Sequence, residues 1–311
     1  MLTIYQSDTQ GALQEVNQFK KGCWIHLTHP SDEEKQRLIS ELNIDLDFLN
    51  DALDEEETAR IDKENGQVIL FVEVPISQKE GDKEIYTTVP LGIMVTEDYF
   101  LTVCLKETDV MKDFVQGNVK NFYTHMTTRF VLQILFRTSN YFLQGLKRIN
   151  KHRENLEISM RKSLKNNELL SVLAIQKSLV YFSTALEDNS LLVERLLSGS
   201  FLKMYDDDQE LLEDVKIEMR QAIKTTEIYS TILGNVMNGF SSIISNNLNH
   251  KVKLLSALTI IVTLPMIIAT YYGMNVKLPM QDHPQAFNII MILSATITIG
   301  TALLFWKKKY L

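Results

Sequence analysis

Hydrophobic residues in the first third of the chain fall in short runs separated by charged and turn-forming residues. Runs rich in β-branched and aromatic side chains are typical of strands. Four such runs are present, at 23–28, 67–74, 85–89 and 100–105. Ser31 and Glu34 form a capping box, which predicts a helix that runs to about Leu42. Asn65-Gly66 predicts a tight hairpin turn. This pattern predicts an α/β domain over residues 1–106.

From about residue 108 the spacing of the apolar residues becomes helical. Apolar faces alternate with lysine, arginine and glutamate near 108–118, 121–165 and 168–198, and no proline interrupts these segments. Ser198-Gly199-Ser200 marks a break before the next helix. We therefore expect a helical region over residues 107–208.

The helix that follows carries a long apolar stripe. From Leu212 to Ile243, apolar residues recur at spacings of three and four, which is typical of a packed stalk or a coiled coil. The sequence has no strong helix breaker between this stripe and the apolar run beyond it. We predict a stalk over residues 209–253, within one helix that runs from Gln209 to Met274.

Two long apolar runs follow the stalk. Leu254–Val276 has no charged residue, and His283–Trp306 has none apart from a histidine that is neutral at pH 7. Each run exceeds the roughly 20 residues that a helix needs to cross a lipid bilayer. The expected segments are a first transmembrane helix at 254–275, an external loop at 276–287, a second transmembrane helix at 288–306 and a basic tail at 307–311.

Lysines mark the ends of these runs. Lys251 and Lys253 precede the first run, and Lys307, Lys308 and Lys309 follow the second. The loop between the runs has one lysine and one acid. Because positive residues stay on the cytosolic side of a membrane, we expect a cell-membrane protein with both chain ends in the cytoplasm.

Composition excludes several classes of protein. The formal net charge is -7, and an acidic surface repels phosphates, so we expect no nucleic-acid partner. Cys23 and Cys104 lie in apolar runs and are expected to be buried thiols. The sequence has no phosphate-binding loop, nucleophile elbow or zinc motif, so we expect neither an enzyme nor an organic cofactor.

The first apolar run also carries a line of hydroxyl groups. Ser256, Thr259, Thr263 and Thr270 recur at spacings of 3, 4 and 7 on one helical face, with Met266 in the gap. Such a line either packs membrane helices together or lines a water-filled path. Two spans cannot enclose a pore, so a transport role requires an oligomer. The residues alone leave both roles open.

This run ends in Tyr272-Gly273-Met274-Asn275, and its end resembles the CorA family of magnesium transporters, in which a Gly-Met-Asn triplet follows the first membrane helix. Residues 245–249 and 253–261 are similar to that family's approach to its pore, and residues 46–54 resemble its cytosolic domain. The resemblance implies a funnel-shaped homo-oligomer, specifically a homopentamer. Each subunit would have an α/β cytosolic domain, a long helical stalk and two C-terminal transmembrane helices, with the first spans around one pore.

The resemblance also implies roles for individual residues. Gly273, Met274 and Asn275 would form the selectivity filter at the external mouth. The implied pore-lining side chains are Asn249, Val252, Leu255, Thr259, Thr263, Met266 and Thr270. Mg²⁺ sheds its water reluctantly, so neutral amide and carbonyl oxygens suit a filter that holds the hydrated ion. Asparagine is also a good helix C-cap, which gives Asn275 a structural alternative.

Regulation by divalent ions is a further implication of the resemblance. Asp51 and Asp214 match acids to which gating in this family is attributed, so Mg²⁺ is expected both as the transported ion and as a regulator. The alternative is that both acids are ordinary solvated surface groups. Asn238 stands where family members often have an aspartate, and the external loop is only weakly acidic. These departures leave the ion preference and the gating open.

The sequence therefore predicts a passive channel for Mg²⁺ uptake across the cytoplasmic membrane, gated by cytosolic divalent ions. Two alternatives stay open. One is transport of Co²⁺, Ni²⁺ or Zn²⁺, in either direction. The other is a membrane-tethered sensor or scaffold in which the hydroxyl line only packs helices.

Overall fold

A computed structural model describes residues 1–9, 11–64, 66–80, 83–162, 166–199, 201–280, 282–308 and 310. The strands are β1 (Leu2–Ser7), β2 (Leu13–Glu15), β3 (Cys23–Thr28), β4 (Arg60–Glu64), β5 (Gln67–Glu80), β6 (Lys83–Val95) and β7 (Tyr99–Cys104). The helices are α1 (Asp32–Leu42), α2 (Leu46–Asp51), α3 (Asp109–Val115), α4 (Thr127–Lys162), α5 (Asn166–Ser198), α6 (Asp206–Tyr272) and α7 (Ala286–Lys307).

The chain divides into two compact units. The first is Met1–Gly234 and holds the strands, α1 to α5 and the first part of α6. The second is Asn235–Leu311 and holds the rest of α6 together with α7. The finer division that we predict at residues 106, 208 and 253 stays a prediction.

In the described residues, the first unit is built on a sheet of seven strands in the order β2-β1-β3-β7-β6-β5-β4. β3 and β7 pair in parallel, and all other neighbours are antiparallel. The parallel pair needs a crossover connection, and the chain between β3 and β7 supplies it with α1, α2 and the β4–β6 meander.

Both faces of the sheet are covered, because successive strand residues point to opposite faces. On β3, Cys23, Ile25 and Leu27 belong to a buried cluster with residues of α1 and α2, such as Leu38 and Phe48. The residue between the first two, Trp24, instead meets aromatic rings from the α3–α4 region. These rings are Phe114, Phe122 and Phe130. The sheet is therefore the middle layer of an α/β unit, as the pattern of the sequence predicts.

The predicted capping box, the hairpin and the buried cysteines are found in this unit. Ser31 and Glu34 form the capping box at the start of α1. β4 and β5 pair as a hairpin with Glu64 opposite Gln67, although Asn65 in the predicted turn lies outside the described residues, as does Ser200 in the later break. Both cysteines are free and buried.

Three short elements escape the sequence-based prediction, and two predicted strands are too short. β1, β2 and α2 have few residues and little periodicity, so local pattern does not reveal them. β5 and β6 each extend well beyond the predicted 67–74 and 85–89. Their mutual pairing continues for the whole length of the hairpin, and this cross-strand pairing stabilises polar stretches that look non-extended in isolation.

Close approach of α2 to the sheet depends on a glycine. Gly92 on β6 lies opposite Phe71 on β5, and a Cβ atom at Gly92 would lie 2.6 Å from the Cβ of Ala52.

We expect Gly92→Ala to destabilise the first unit by roughly 1–3 kcal/mol, because an added methyl group overpacks this contact. Urea denaturation followed by Trp24 fluorescence measures this. Gly234→Ala on α6 is the matched control: it has nothing within 4 Å of the new Cβ and should not destabilise the unit. Equal midpoints for the two variants would refute the close approach.

A chain of hydrogen-bonded polar side chains, buried at Trp24 and partly buried at His26, crosses β3 and β7. The Trp24 indole N–H donates to Thr102 Oγ1 at 2.8 Å, His26 Nδ1 lies 2.8 Å from the same oxygen, and His26 Nε2 lies 3.0 Å from Thr28 Oγ1. Burial, aided by the positive amino terminus, lowers the pKa of His26 to about 4. The folded protein therefore holds His26 neutral in the pH range in which an unfolded chain would bind a proton.

This burial predicts a specific acid sensitivity. Above pH 6.5 the histidine is neutral in both states, and its contribution to stability is lost as the pH falls toward 4. Relative to His26→Gln, we expect the wild type to lose about 2 kcal/mol of stability between pH 7 and pH 4.5. Urea denaturation of both proteins at the two pH values measures the difference. Parallel pH profiles would contradict a neutral buried His26.

Candidate ion pathway

Within the second unit, α6 is shielded along one face only. Its least exposed positions beyond residue 250 include Ala257, Ile261, Leu264 and Ile268, at spacings of four and three. α7 has a shielded face with the same periodicity. It includes Ile290, Ser294, Thr298, Thr301 and Phe305. This pattern indicates that the shielded faces of the two helices are turned toward each other, with small residues such as Ser294 and Thr298 on the α7 face.

The hydroxyl line of α6 lies on the opposite side of the helix from this shielded face. At about 100° per residue, Thr259, Thr263, Met266 and Thr270 fall within about 60° of one another, and Ala257 and Ile268 point the other way. All four side chains of the line are exposed, Met266 by 65%. In this chain the line therefore does not pack α6 against α7.

Each threonine hydroxyl of the line donates its proton to a backbone carbonyl of the same helix. Thr259 donates to the Leu255 carbonyl at 2.9 Å, Thr263 to the Thr259 carbonyl at 2.7 Å, and Thr270 to the Met266 carbonyl at 2.7 Å. Each oxygen then has only lone pairs left to offer. Such a surface accepts hydrogen bonds, and the water molecules around a cation present their protons outward. The line is therefore chemically suited to a hydrated cation.

Before the hydroxyl line, the predicted pore-lining positions of α6 are exposed and mostly apolar. Val252 is 52% exposed and Leu255 is 67% exposed, and Asn249 one turn earlier is exposed as well. By the same helical geometry they lie within about 120° on the side of the hydroxyl line. All seven predicted pore-lining side chains thus share one face of α6.

The Gly-Met-Asn triplet lies just beyond the end of α6. The Gly273 N–H donates to the Ala269 carbonyl at 3.0 Å, and the Met274 N–H donates to the Tyr271 carbonyl at 3.2 Å. Asn275 is exposed, and its side chain makes no hydrogen bond to any described residue. Asn275 therefore does not cap α6 here, and its amide is available for another role.

Among the described residues, no contact explains why residue 273 is a glycine. A Cβ atom there would come no closer than 3.5 Å to the carbonyl oxygens of Ala269 and Thr270, which is an ordinary contact, and the backbone at Gly273 is not left-handed. The small residue leaves the backbone open to a neighbour from outside the chain.

The two candidate regulatory acids have different surroundings. Asp51 is held by Arg60, with Oδ2 2.7 Å from Nη2. Asp214 is exposed on α6. Across the described residues, no group of three or more histidine, cysteine, aspartate or glutamate side chains is placed to hold a metal ion. A single chain thus does not assemble a metal site around either acid.

Some partners of the candidate residues escape sequence analysis. The ion pair of Arg60 with Asp51 depends on where β4 lies relative to α2, which local pattern does not reveal. The small residues of α7, such as Ser294 and Thr298, were detectable in principle from their spacing of four, but a stripe of small residues in an apolar run is a weak signal.

Three helices are long and apolar enough to cross a membrane by length and composition: Glu168–Ser198, Asp206–Tyr272 and Ala286–Lys307. The apolar window of the first is 44% buried inside the protein, because it packs on the sheet, whereas the windows of the other two are 6% and 0% buried. A helix that buries its apolar residues in a protein core does not need to contact lipid. The last two helices bury almost none of their apolar residues within this chain.

A family model described as "CorA-like Mg2+ transporter protein" matches residues 19–309. The chain belongs to the CorA family. Family membership identifies it as a transporter rather than an enzyme and as a membrane protein.

Similar proteins extend over almost the whole chain. The cobalt/magnesium transport protein CorA of Methanocaldococcus jannaschii is 26% identical over 300 residues, which cover 93% of this chain and 91% of that protein. The magnesium transport protein CorA of Wolinella succinogenes is 22% identical and covers 96% of this chain and 94% of its own length.

Solved structures confirm the predicted fold class. The complete structure of the M. jannaschii CorA magnesium transporter superimposes with a TM-score of 0.86 at 22% identity, covering 100% of this chain and 99% of that chain. The α/β unit, the long helix and the C-terminal apolar helices thus form the CorA fold.

The two faces of α6 should differ in their access to water. In a background without the two native cysteines, we expect Thr263→Cys to react with a membrane-impermeant thiol reagent at least about tenfold faster than Ile261→Cys, because only the former lies on the open, hydroxyl-bearing face. Mass spectrometry of the labelled protein in membranes measures both rates. Comparable rates at the two positions would contradict a water-lined stripe.

Proposed function

We propose that this CorA family member is one subunit of a homo-oligomeric channel for divalent cations and that Mg²⁺ is the ion taken up. The observation that carries the proposal is the open hydroxyl face of α6, which faces away from α7 and leads to Gly273-Met274-Asn275. Passage is passive, because the negative interior of the cell draws a divalent cation inward. The names of the M. jannaschii and W. succinogenes relatives support magnesium as the substrate.

Several copies of α6 are needed to enclose the pathway. One chain leaves Leu255 67% exposed and Met266 65% exposed on the face opposite α7. A ring of such helices, five in the proposed homopentamer, would bring these faces together around a central pore. The absence of any intrachain need for a glycine at 273 supports close packing between copies at the mouth.

The chemistry of the pathway suits an ion that keeps its water. No acidic or basic residue occurs between Leu254 and Val276, so a stripped Mg²⁺ ion would meet no strong ligand there. Hydroxyl oxygens along the line and the Asn275 amides at the mouth accept hydrogen bonds from bound water. Weak contacts of this kind allow the ion both to enter and to leave.

Two spans per chain are proposed, with both chain ends in the cytoplasm. The lysines at 251, 253, 307 and 308 support this orientation, and Lys309 lies outside the described residues. The low burial of the α6 and α7 windows supports their contact with the lipid bilayer.

Regulation by Mg²⁺ at Asp51 and Asp214 belongs to the same proposal. A single chain assembles no metal cluster around them in its described part, so a bound ion would have to draw ligands from a neighbouring subunit. The pairing of Asp51 with Arg60 means that the ion must also displace a guanidinium group.

The Asn275 amide is the sharpest point at which to test the pore. We expect Asn275→Ala to reduce Mg²⁺ entry into dye-loaded proteoliposomes by at least about tenfold, because it removes the oxygen ring that holds the hydrated ion. Asn288→Ala is the matched control, since Asn288 is also exposed but lies on α7; it should transport at the native rate.

Parallel assays with Co²⁺ separate the ion preferences, because the name of the M. jannaschii relative includes cobalt. Entry of Co²⁺ but not Mg²⁺ would overturn the assignment of the ion. No entry of either ion from an intact oligomer, under an inside-negative potential, would favour the scaffold role.

A further inference from the structure

A carboxyl group is buried in the first unit, at the contact between β5 and α5. Glu73 lies on β5, and its Oε1 accepts a hydrogen bond from the Thr88 hydroxyl on β6 at 3.2 Å. Its second oxygen, Oε2, is buried and has no hydrogen-bond partner. A charged carboxylate with a buried, unpaired oxygen is unfavourable.

The backbone around Glu73 is fixed by α5. β4 pairs with β5 only as far as Phe71, so the edge of β5 is open from there on. The fully buried Asn189 of α5 takes the place of a strand: its Oδ1 accepts from the Glu73 N–H at 3.0 Å, and its Nδ2 donates to the Glu73 carbonyl at 2.8 Å. Glu73 therefore cannot move away from α5 unless this double hydrogen bond breaks.

The same contact brings a second carboxylate to Glu73. Asp188 immediately precedes Asn189 on α5, and its negative charge disfavours ionisation of Glu73. Glu187 precedes Asp188 on α5, and burial together with the charge of Glu187 raises the pKa of Asp188 in turn. Burial and the charge of Asp188 together raise the pKa of Glu73 to about 7, against the opposing effect of the Thr88 hydrogen bond.

In the part of the chain that the structure describes, no basic residue is among the groups that shift the pKa of Glu73, and basic residues of the flanking elements have partners of their own. On β4, Arg60 pairs with Asp51, Glu57 and Asp62. On α4, Arg148 bonds to Tyr86. Among the described residues, β6 faces Glu73 with the neutral Thr88. An ionised Glu73 is therefore repelled by the negative charge of Asp188 on α5, and no positive charge on a described residue compensates this repulsion.

We propose that Glu73 is a proton-binding switch that controls the docking of α5 on the edge of β5. With its proton, Glu73 is neutral and lies beside Asp188 without repulsion. Without the proton, the negative charges of Glu73 and Asp188 repel each other while the double hydrogen bond of Asn189 holds α5 against β5. The contact between α5 and β5 is then weaker. The docked state binds this proton more tightly than the unfolded chain does. Docking is therefore strongest below pH 4.5 and weakens as the pH rises to about 7.

Hydrogen exchange of the full-length protein in detergent tests this proposal without reference to transport. Wild type and Glu73→Gln, which mimics the protonated form, are compared at the same pH for amides in β5 and in the Asn189 region of α5. We expect the ratio of the wild-type rate to the variant rate to rise about tenfold between pH 6 and pH 8. Asp188→Asn, which removes the facing charge, should shift this rise to lower pH.

Glu194→Gln is the matched control, because Glu194 lies exposed on the same helix and should behave as wild type. A constant ratio across the pH range, or the same response from Glu194→Gln, would overturn the proposal. So would protection at pH 8 that Mn²⁺ restores in wild type but not in Glu73→Gln, because the acid pair would then bind a metal ion instead of a proton. If Glu73→Gln does not fold, the shift in Asp188→Asn decides alone.

Discussion

The backbone hydrogen bonds of α6 are the constraint on which the functional half of the molecule depends. One helix from Asp206 to Tyr272 continues from the first compact unit through most of the first apolar run, which extends to Val276. In hydrocarbon every backbone polar group has to be satisfied within the segment, and a helix does so. Pro265 is the one proline inside α6 and cannot donate such a bond. It lies partly shielded, on the side of the helix away from the hydroxyl line. The open face of the helix is thus free of this defect.

The hydroxyl groups of the apolar helices also need hydrogen-bond partners within their own segment. Thr259, Thr263 and Thr270 donate to carbonyls four residues earlier, and Thr298 and Thr301 on α7 do so too. A hydroxyl group in either apolar helix thus donates to the carbonyl four residues earlier. This hydrogen bond by itself does not indicate an ion pathway. The position on the helix distinguishes the two sets. On α7, Thr298 and Thr301 lie on the shielded side, where their small size matters, and Thr296 alone of the three threonines is exposed. On α6, Thr259, Thr263 and Thr270 all lie on the open side, where they present acceptor oxygens.

How far sequence alone predicts this protein depends on whether the signal is local. The capping box at Ser31, the long helix and the two apolar runs are set by residues near one another in the chain. The capping box is confirmed, and the long helix is found at Asp206–Tyr272 where the sequence predicts 209–274, whereas the two transmembrane spans stay a prediction. β1 and β2 are defined by pairing with distant strands, and the full length of β5 is defined by β6, so local pattern misses them. The face of α6 that carries the hydroxyl line was predictable, but the side on which α7 packs required the structure. Nor does the sequence pair Asn189 with Glu73, which are 116 residues apart.

Two buried titratable groups give the first unit opposing responses to pH. His26 is held neutral, so the folded state binds fewer protons than the unfolded chain between about pH 4 and pH 6.5, and stability rises with pH. Glu73 is held protonated, so the folded state binds more protons between pH 4.5 and about pH 7, and stability falls with pH. The two windows overlap from pH 4.5 to pH 6.5, where the slopes offset each other. Of these two groups, only Glu73 still titrates above pH 6.5, and only His26 titrates below pH 4.5. Their contributions therefore offset each other in mild acid, and near neutral pH the contribution that remains lies at the contact between β5 and α5.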